Sequence, residues 1–200
     1  LVCDQGMDVI RKVYPREGAE TRPAADAIQH GSIGEPALVV SQKGRSQIVL
    51  AVEIDTLVAE AVRVNGVIEF VPQVGDFVAA DEPLFKLYGH AATIDEEALR
   101  ECVAFGSERT MEQDSMFSFR ILVDIALKAL SPAINDPTTA VLALDQIHRL
   151  LRFVGKRRLH DEVVHGSAGQ VRLLLRTPNW DDFVHISFTE IRACGANNVQ

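Results

Sequence analysis

Hydrophobic and polar positions follow two different rhythms along this chain. Residues 37–91 contain short apolar runs separated by turn signals such as Asn65-Gly66 and Gly75-Asp76, a pattern typical of short β-strands. From residue 92 to residue 200, apolar residues recur every three or four positions, as they do on one face of a helix. The pattern predicts an α+β fold, with a small β-rich unit followed by a mainly helical unit.

The first 36 residues form a separate segment in this prediction. Residues 2–14 have helical spacing, and the proline at position 15 ends the pattern. Residues 15–36 contain three prolines and three glycines, which indicates a linker. We therefore expect three parts: an N-terminal helix and linker over 1–36, a β-rich unit over 37–91 and a mainly α-helical unit over 92–200.

The β-rich unit has a regular order of strands and turns. The stretch VPQVGDFVAADEPLFKL, residues 71–87, predicts a strand, a Gly-Asp turn, a strand, an acidic turn and a strand. It resembles the half-motif of barrel-sandwich domains, the scaffold of biotinyl and lipoyl carriers. Those carriers present their lysine on an exposed hairpin, whereas Lys86 lies within a strand pattern. We therefore predict a barrel-sandwich-like scaffold without a carrier function.

Capping signals divide the helical region. Thr93 and Glu96 match a capping box for a helix over residues 93–107. A last helix is predicted to begin after the capping residue Asn179. The stretch VRLLLR before it, residues 171–176, predicts a strand because it is apolar and short.

The densest group of polar residues lies at the junction of two helices, SPAINDPTT at residues 131–139. Pro132 excludes helical geometry at the residue before it. Asp136 followed by Pro137 is typical of a helix start, because the carboxylate accepts hydrogen bonds from the free N–H groups of the first turn. This interpretation makes the corner structural. A helix start also presents N–H groups to a ligand, so a binding site is the alternative.

A second polar corner, GSERTMEQD, covers residues 106–114. Arg109 has the charge to pair with Asp136, and the two corners together form the candidate site for a ligand or an interface. No residue is predicted to be catalytic or to bind a cofactor. The candidate residues are Glu108, Arg109, Gln113, Asp114, Asn135, Asp136, Thr138 and Thr139.

Other motifs that carry chemistry are weaker. His160 and His165 are five residues apart, whereas helical zinc pairs are about four apart, so we predict no metal site. The chain has no G-x-S-x-G elbow, P-loop or dinucleotide fingerprint. Arg120, Asp124 and Lys128 recur at intervals of four on one predicted helix, which predicts an ion-paired stripe.

Composition narrows the classes of function. The chain is 47% hydrophobic and 24% charged, with a net charge of −8, which is typical of a folded domain. The negative charge argues against nucleic acid and against an anionic membrane surface as partners. Cys3, Cys102 and Cys194 are far apart and odd in number, so we expect free thiols and a reducing compartment such as the cytoplasm.

The chain has no apolar run of the roughly 20 residues that span a bilayer, and its first residues do not match the pattern expected of a signal peptide. It begins without methionine, so we expect a piece of a longer protein. The absence of a span here leaves room for a membrane segment elsewhere in that protein.

Five stretches of the chain carry a resemblance to a known family. They are VIRKVYP, VEIDTLVAEA, VPQVGDFVAADEPL, FTEIRACG and the long central stretch FGSERTMEQDSMFSFRILVDIALKALSPAINDPTTAVLALDQIHRLL. Together they resemble predicted bacterial membrane proteins of domain-of-unknown-function family 2254. The resemblance covers most of the chain. It implies a membrane region N-terminal to this domain and brings no established activity.

Two classes of function follow. The first is a non-enzymatic extramembrane domain of a membrane protein, which forms a homo-oligomer on the cytoplasmic side and serves assembly, gating or sensing. The second is a ligand-binding or hydrolytic domain with a polar site formed by the corners 106–114 and 131–139. The second class requires these corners to converge on a concave pocket with unpaired polar groups.

Overall fold

The chain folds into both helices and strands, as its two rhythms predict. The computed structural model describes residues 2–14, 34–159 and 163–196. The described part contains six α-helices and two β-sheets, which confirms the α+β class. The helices are α1 (Val2–Val13), α2 (Ile54–Arg63), α3 (Glu96–Glu101), α4 (Ser115–Leu130), α5 (Pro137–Val154) and α6 (Trp180–Gly195).

The strands form one sheet of five and one sheet of three. The larger sheet has the order β1-β5-β3-β8-β7, and its neighbouring strands are antiparallel except for β3 and β8. The smaller sheet has the order β4-β2-β6 and is antiparallel. The strands are β1 (Leu38–Ser41), β2 (Gln47–Val52), β3 (Gly66–Phe70), β4 (Phe77–Val78), β5 (Pro83–Gly89), β6 (Val103–Gly106), β7 (Val163–His165) and β8 (Val171–Leu175).

These elements group into two compact units. The helical unit comprises Leu1–Ala19, Thr110–His160 and Pro178–Gln200, and the sheet unit comprises Glu20–Arg109 and Asp161–Thr177. The grouping differs from the contiguous parts expected from the sequence. Helix α1 joins the later helices, α3 and β6 stay with the sheets, and β7 and β8 return to the larger sheet. Each element joins the unit whose core accepts its apolar face.

The segment predicted as one helix over residues 93–107 is a short helix followed by a strand. Thr93 is not the cap: α3 begins after Asp95, whose side chain accepts a hydrogen bond from the N–H of Glu97. Beyond α3, strand β6 pairs with β2, with Phe105 opposite Val49. Pairing with β2 satisfies the backbone of a segment rich in residues that favour strands, so tertiary context outweighs the helical spacing.

Each unit has its own hydrophobic core. The core of the sheet unit takes side chains from both sheets and from α2, including Phe85, Ile68 and Leu57. The core of the helical unit contains the Phe183 ring, whose centroid lies 6.2 Å from that of Tyr14 and 5.2 Å from that of Phe119. The helical unit and the sheet unit therefore each have a separate hydrophobic core.

Helix α1 packs closely on α4 because it carries a glycine at the contact. A Cβ atom on Gly6 would lie 2.6 Å from the Ser118 Oγ atom and 2.7 Å from its Cβ atom. The glycine therefore has a packing role that outweighs its poor helix propensity.

Candidate functional site

The corner between α4 and α5 is held by its own backbone hydrogen bonds. The Ser131 carbonyl accepts from the N–H groups of Ile134 (3.0 Å) and Asn135 (2.8 Å). The Asp136 N–H donates to the Ala129 carbonyl (2.8 Å). Asn135 has a φ of 46°, in the left-handed region that asparagine tolerates better than most residues.

Asp136 caps α5, as predicted. Its Oδ1 atom accepts from the Thr139 N–H at 3.1 Å, and its Oδ2 atom accepts from the Thr139 hydroxyl at 2.5 Å. The Thr139 hydroxyl, followed by the Thr139 N–H, holds the pKa of Asp136 below its ordinary value. Pro137 occupies the first turn of the helix, and Thr138 is exposed. Both carboxylate oxygens are therefore engaged within the corner itself.

Asp114 caps α4. Its Oδ1 atom accepts from the Phe117 N–H at 3.0 Å, and the residue is buried. Ser115 instead lies against α1, where its Oγ atom is 3.1 Å from the Tyr14 hydroxyl. Burial is the main cause that raises the pKa of Tyr14 above its ordinary value. Asp114 thus has a structural role of the same kind as Asp136.

The candidate residues divide between the two units. Glu108 and Arg109 belong to the sheet unit, and the other six belong to the helical unit. The predicted pairing of Arg109 with Asp136 therefore joins residues of different units and stays a prediction. In the helical unit, Asp114 and Asp136 are bonded to the helix starts that they cap. The exposed members of the set are Glu108, Gln113, Asn135 and Thr138.

The two other motifs singled out in the sequence are the histidine pair and the charged stripe on α4. His160 lies outside the described residues, and within the described part no group of three or more His, Cys, Asp or Glu side chains has the arrangement of a metal site. Arg120 Nη2 lies 2.7 Å from Asp124 Oδ1, which confirms an ion pair on α4. Lys128 is exposed on the same helix.

A polar group on the larger sheet was not predicted from the sequence. Glu69 on β3 lies opposite Lys86 on β5. The Lys86 Nζ donates to Glu69 Oε1 at 3.0 Å, and the Tyr88 hydroxyl donates to Glu69 Oε2. Burial, followed by the hydrogen bond to the Glu69 carboxylate, raises the pKa of Tyr88 to about 12. Lys86 therefore lies within a strand, as predicted, and its amine contacts a carboxylate of the same sheet.

Arg172 is a buried cation on β8, with 7% of its surface exposed. Its Nη1 donates to the Gly66 carbonyl at 3.0 Å, and its Nη2 donates to the Asn65 Oδ1 atom at 2.8 Å. Both acceptors lie just after the C-terminus of α2, where the helix dipole favours a positive charge. The side chain ties β8 to the turn that precedes β3. The lone arginine in an apolar strand pattern is the sequence signal for such a contact.

The outward side of the first half of α5 is apolar. Val141 and Leu142 are 55% and 57% exposed, and Ile134 in the preceding turn is 49% exposed. Val141 and Leu142 are three and four residues after Thr138, so these two side chains lie on the same side of the helix as exposed Thr138. We call Ile134, Val141 and Leu142 the apolar face of α5. Val141 and Leu142 are adjacent in the chain and both exposed, and contiguous exposed apolar groups are typical of contact surfaces.

The C-terminal half of α5 has the opposite character. Five cations occur over residues 149–158, in this half of the helix and just after its end, and residues 146–159 include no acidic residue. The guanidinium carbon of Arg157 lies 4.5 Å from the centroid of the Phe153 ring, and that of Arg11 lies 5.8 Å from it. This block of charge is visible in the sequence, whereas the approach of α1 is not. We call the group the basic end of α5; it consists of Arg149, Arg152, Lys156, Arg157 and Arg158.

Trp180 stands beside the basic end of α5. It is the first residue of α6 and the single tryptophan of the chain, and it is 45% exposed. A Cβ atom on Gly155 would lie 3.4 Å from its ring. The end of α5 therefore combines cations with an exposed aromatic ring.

The comparison with known proteins agrees with the resemblance found in the sequence. The chain belongs to the family described as "Predicted membrane protein (DUF2254)", whose sequence model matches residues 5–200. Similar proteins include an uncharacterized protein of Mycobacterium bovis and one of Mycobacterium tuberculosis, each 38% identical over 94 residues. The match covers 47% of this chain and 18% of each relative. No solved structure matches the chain.

Membership of this family raises the question of a membrane span. Among residues 2–14, 34–159 and 163–196, no helix combines the length and the apolar character needed to cross a membrane.

Proposed function

We propose that this chain is a non-enzymatic extramembrane domain of a membrane protein, and that it serves assembly by bringing copies together at the apolar face of α5. The observation that carries the proposal is the exposure of more than half of the side chains of both Val141 and Leu142. Membership of a family of predicted membrane proteins supports the extramembrane role.

The physical reason is the free energy of covering apolar surface. Burying a valine or a leucine side chain contributes about 1.5–3 kcal/mol. Two copies that meet through the same face bury each residue twice, and such two-fold contacts are the commonest in homo-oligomers. Since Val141 and Leu142 point away from the core of their own unit, a second copy is the proposed cover.

The cytoplasmic side is part of the proposal. Cys3 and Cys102 are buried free thiols, and Cys194 is a partly exposed free thiol. Free thiols persist in a reducing compartment. Gating or sensing would be further uses of the same assembly.

A ligand-binding or hydrolytic site at the corners 106–114 and 131–139 is the alternative. It has less support, because the carboxylates of Asp114 and Asp136 are bonded to the helix starts that they cap. A site for a substrate needs polar groups that remain available to it.

Cross-linking tests the proposal. The variants Val141→Cys and Leu142→Cys are treated in solution with a short bismaleimide, and dimers are measured on a denaturing gel. We expect both variants to give a covalent dimer that disappears when an excess of unlabelled wild-type chain is added, because the wild-type copies occupy the same face.

The matched control is Phe77→Cys, which places a thiol on the exposed strand β4 of the sheet unit. It shares the native thiols, including partly exposed Cys194, and reports the background. Equal dimer yields from all three variants would refute contact through the apolar face of α5.

A further inference from the structure

We propose that the basic end of α5, together with Arg11, Lys12 and Trp180, is a docking surface for anionic phospholipid headgroups. The inference rests on the extramembrane role proposed above. It is independent of the assembly face, because the apolar face lies in the first half of α5 and the turn before it, whereas the basic end lies in the second half of α5 and the residues just after it.

This surface is locally positive although the chain as a whole is negatively charged. The whole chain carries −8, yet the five cations of the basic end are free of intervening acidic residues. Arg152 and Lys156 are exposed, and neither has an ion-pair partner in the described part of the chain. Lys12, next to Arg11 on α1, is in the same state among the described residues. These three cations have not been neutralised by the fold.

The helix dipole accounts for only part of the cluster. Cations in the last turn of a helix are stabilised by the partial negative charge of the free carbonyl groups, and Arg152 occupies that position. Lys156 and Arg158 lie beyond the end of α5, and Lys12 belongs to another helix. The dipole of α5 therefore gives no reason for the positive charge of this second group.

Four acidic residues on α1 and α6 lower the positive charge of this surface. Asp8 lies 2.5 Å from Arg11 and Asp4 lies 3.9 Å from Arg149. Asp182 takes part in the capping box of α6, and Asp181 precedes it. Each of the four carboxylates thus lies beside another cation or at the start of α6, and Arg152, Lys156 and Lys12 keep no carboxylate partner among the described residues. The surface therefore stays positive in a protein that is negative as a whole.

The aromatic residues suit the depth of a lipid headgroup. Tryptophan is enriched at the boundary between membrane and water, where its ring and its N–H both find partners. Trp180 is exposed beside Gly155. Phe153 supports the guanidinium groups of Arg11 and Arg157, an arrangement that orders cations while their charge still reaches outward.

The whole-chain charge favours a membrane over a nucleic acid. A nucleic acid is a long polyanion, and its binding proteins are usually basic over the domain as a whole. A membrane is a plane that touches one surface, so repulsion from distant acidic residues is screened over about 8–10 Å. Each lysine or arginine near an anionic leaflet contributes about 1 kcal/mol of attraction to binding.

Vesicle binding of the 200-residue chain tests the proposal. Vesicles of phosphatidylcholine alone are compared with vesicles of phosphatidylcholine and phosphatidylglycerol, by co-sedimentation and by the fluorescence of the single tryptophan, Trp180. We expect binding and a blue shift of the emission with the anionic vesicles only. Both signals should fall as salt is added, because screening weakens exposed charges.

The double variant Arg152→Gln, Lys156→Gln assigns the binding to this surface. We expect its partition coefficient to fall roughly 25-fold, or about fivefold for each of the two cations removed. The matched control is Lys128→Gln, Arg192→Gln, which removes two exposed cations of the helical unit outside the surface and should bind like the wild type. Circular dichroism verifies that each variant is folded.

Several results would overturn the proposal. They are the absence of binding to anionic vesicles, equal binding to both kinds of vesicle, or equal losses in the two double variants. Binding to a short DNA duplex without binding to vesicles would assign the surface to nucleic acid. If the Leu142→Cys variant forms the cross-linked dimer but does not bind anionic vesicles, the docking surface alone is rejected. If it binds anionic vesicles but forms no dimer above the Phe77→Cys background, the assembly face alone is rejected.

Discussion

The two units place their unusual groups differently. In the sheet unit, Arg172 is buried against backbone and amide acceptors, and Glu69 accepts from two neighbours on the same sheet. Its exposed large apolar residues are scattered over β1, α2 and β4. In the described part of the helical unit, α5 carries an apolar face at its start and the first cations of the basic end at its other end. The unusual groups of the sheet unit therefore contact other residues of that unit, whereas those of the helical unit are exposed.

The largest expected effect tests whether the two cores are independent. Phe183→Ala removes the ring that contacts Tyr14 and Phe119, and we expect the free energy of unfolding of the helical unit to fall by about 3–5 kcal/mol. Hydrogen exchange should show faster exchange of the amides of α4, α5 and α6.

Protection in β3 and β5 is the internal control for this prediction. It should stay near its wild-type level, because those strands pack in the other core. Equal loss of protection in both units would contradict the division into two cores and would show a single cooperative body.

The contact between α1 and α4 gives the next effect. Gly6→Ala introduces a Cβ atom 2.6 Å from Ser118 Oγ, so we expect a loss of about 1–3 kcal/mol by overpacking, measured by urea denaturation. Gly195→Ala is the control, since a Cβ atom there meets nothing within 4 Å. Similar behaviour of the two variants would mean that α1 is not closely packed.

A smaller effect is expected at the corner between the helices. Asn135 is held in the left-handed region with a φ of 46°, where alanine costs about 1 kcal/mol or slightly more. We expect Asn135→Ala to lower the melting temperature and Asn135→Gly to leave it near the wild-type value. If Asn135→Gly were as damaging as Asn135→Ala, the side chain rather than the backbone would be the reason for asparagine.

The last prediction compares the tyrosine of each unit. The pKa values of Tyr14 and Tyr88 are both raised, and that of Tyr88 reaches about 12. A raised pKa means that the folded state retains its proton longer than the unfolded state, so stability is lost as the pH rises from about 10 toward about 12. Absorbance titration should show no tyrosine ionising at its ordinary pKa before unfolding, and Tyr88→Phe should weaken the dependence of stability on pH.

Local signals made parts of this fold predictable. Asp136 with Pro137, and Asn179, are short-range capping signals that act within one turn, and both mark helix starts as predicted. Residues 103–106 were predicted as helix because their strand depends on pairing with β2, which is distant in sequence. The contact of the Ser115 hydroxyl with that of Tyr14 likewise joins segments that are distant in sequence.

The candidate site was predictable to a similar extent. The structural role of Asp136 followed from its own sequence context. The cations of the basic end are visible as a run in the sequence, but the net charge of −8 points away from an anionic partner. The places of Arg11 on Phe153 and of Trp180 beside Gly155 come from the packing of α1 and α6. Such contacts between distant segments leave no local pattern.

The most direct test of the assembly role is the mass of the chain in solution, measured by light scattering over a range of concentrations. We predict a defined oligomer for the wild-type chain and a folded monomer for the double variant Val141→Ser, Leu142→Ser. A wild-type chain that stays monomeric at every concentration, or a double variant that keeps the wild-type mass, would contradict assembly through the apolar face of α5.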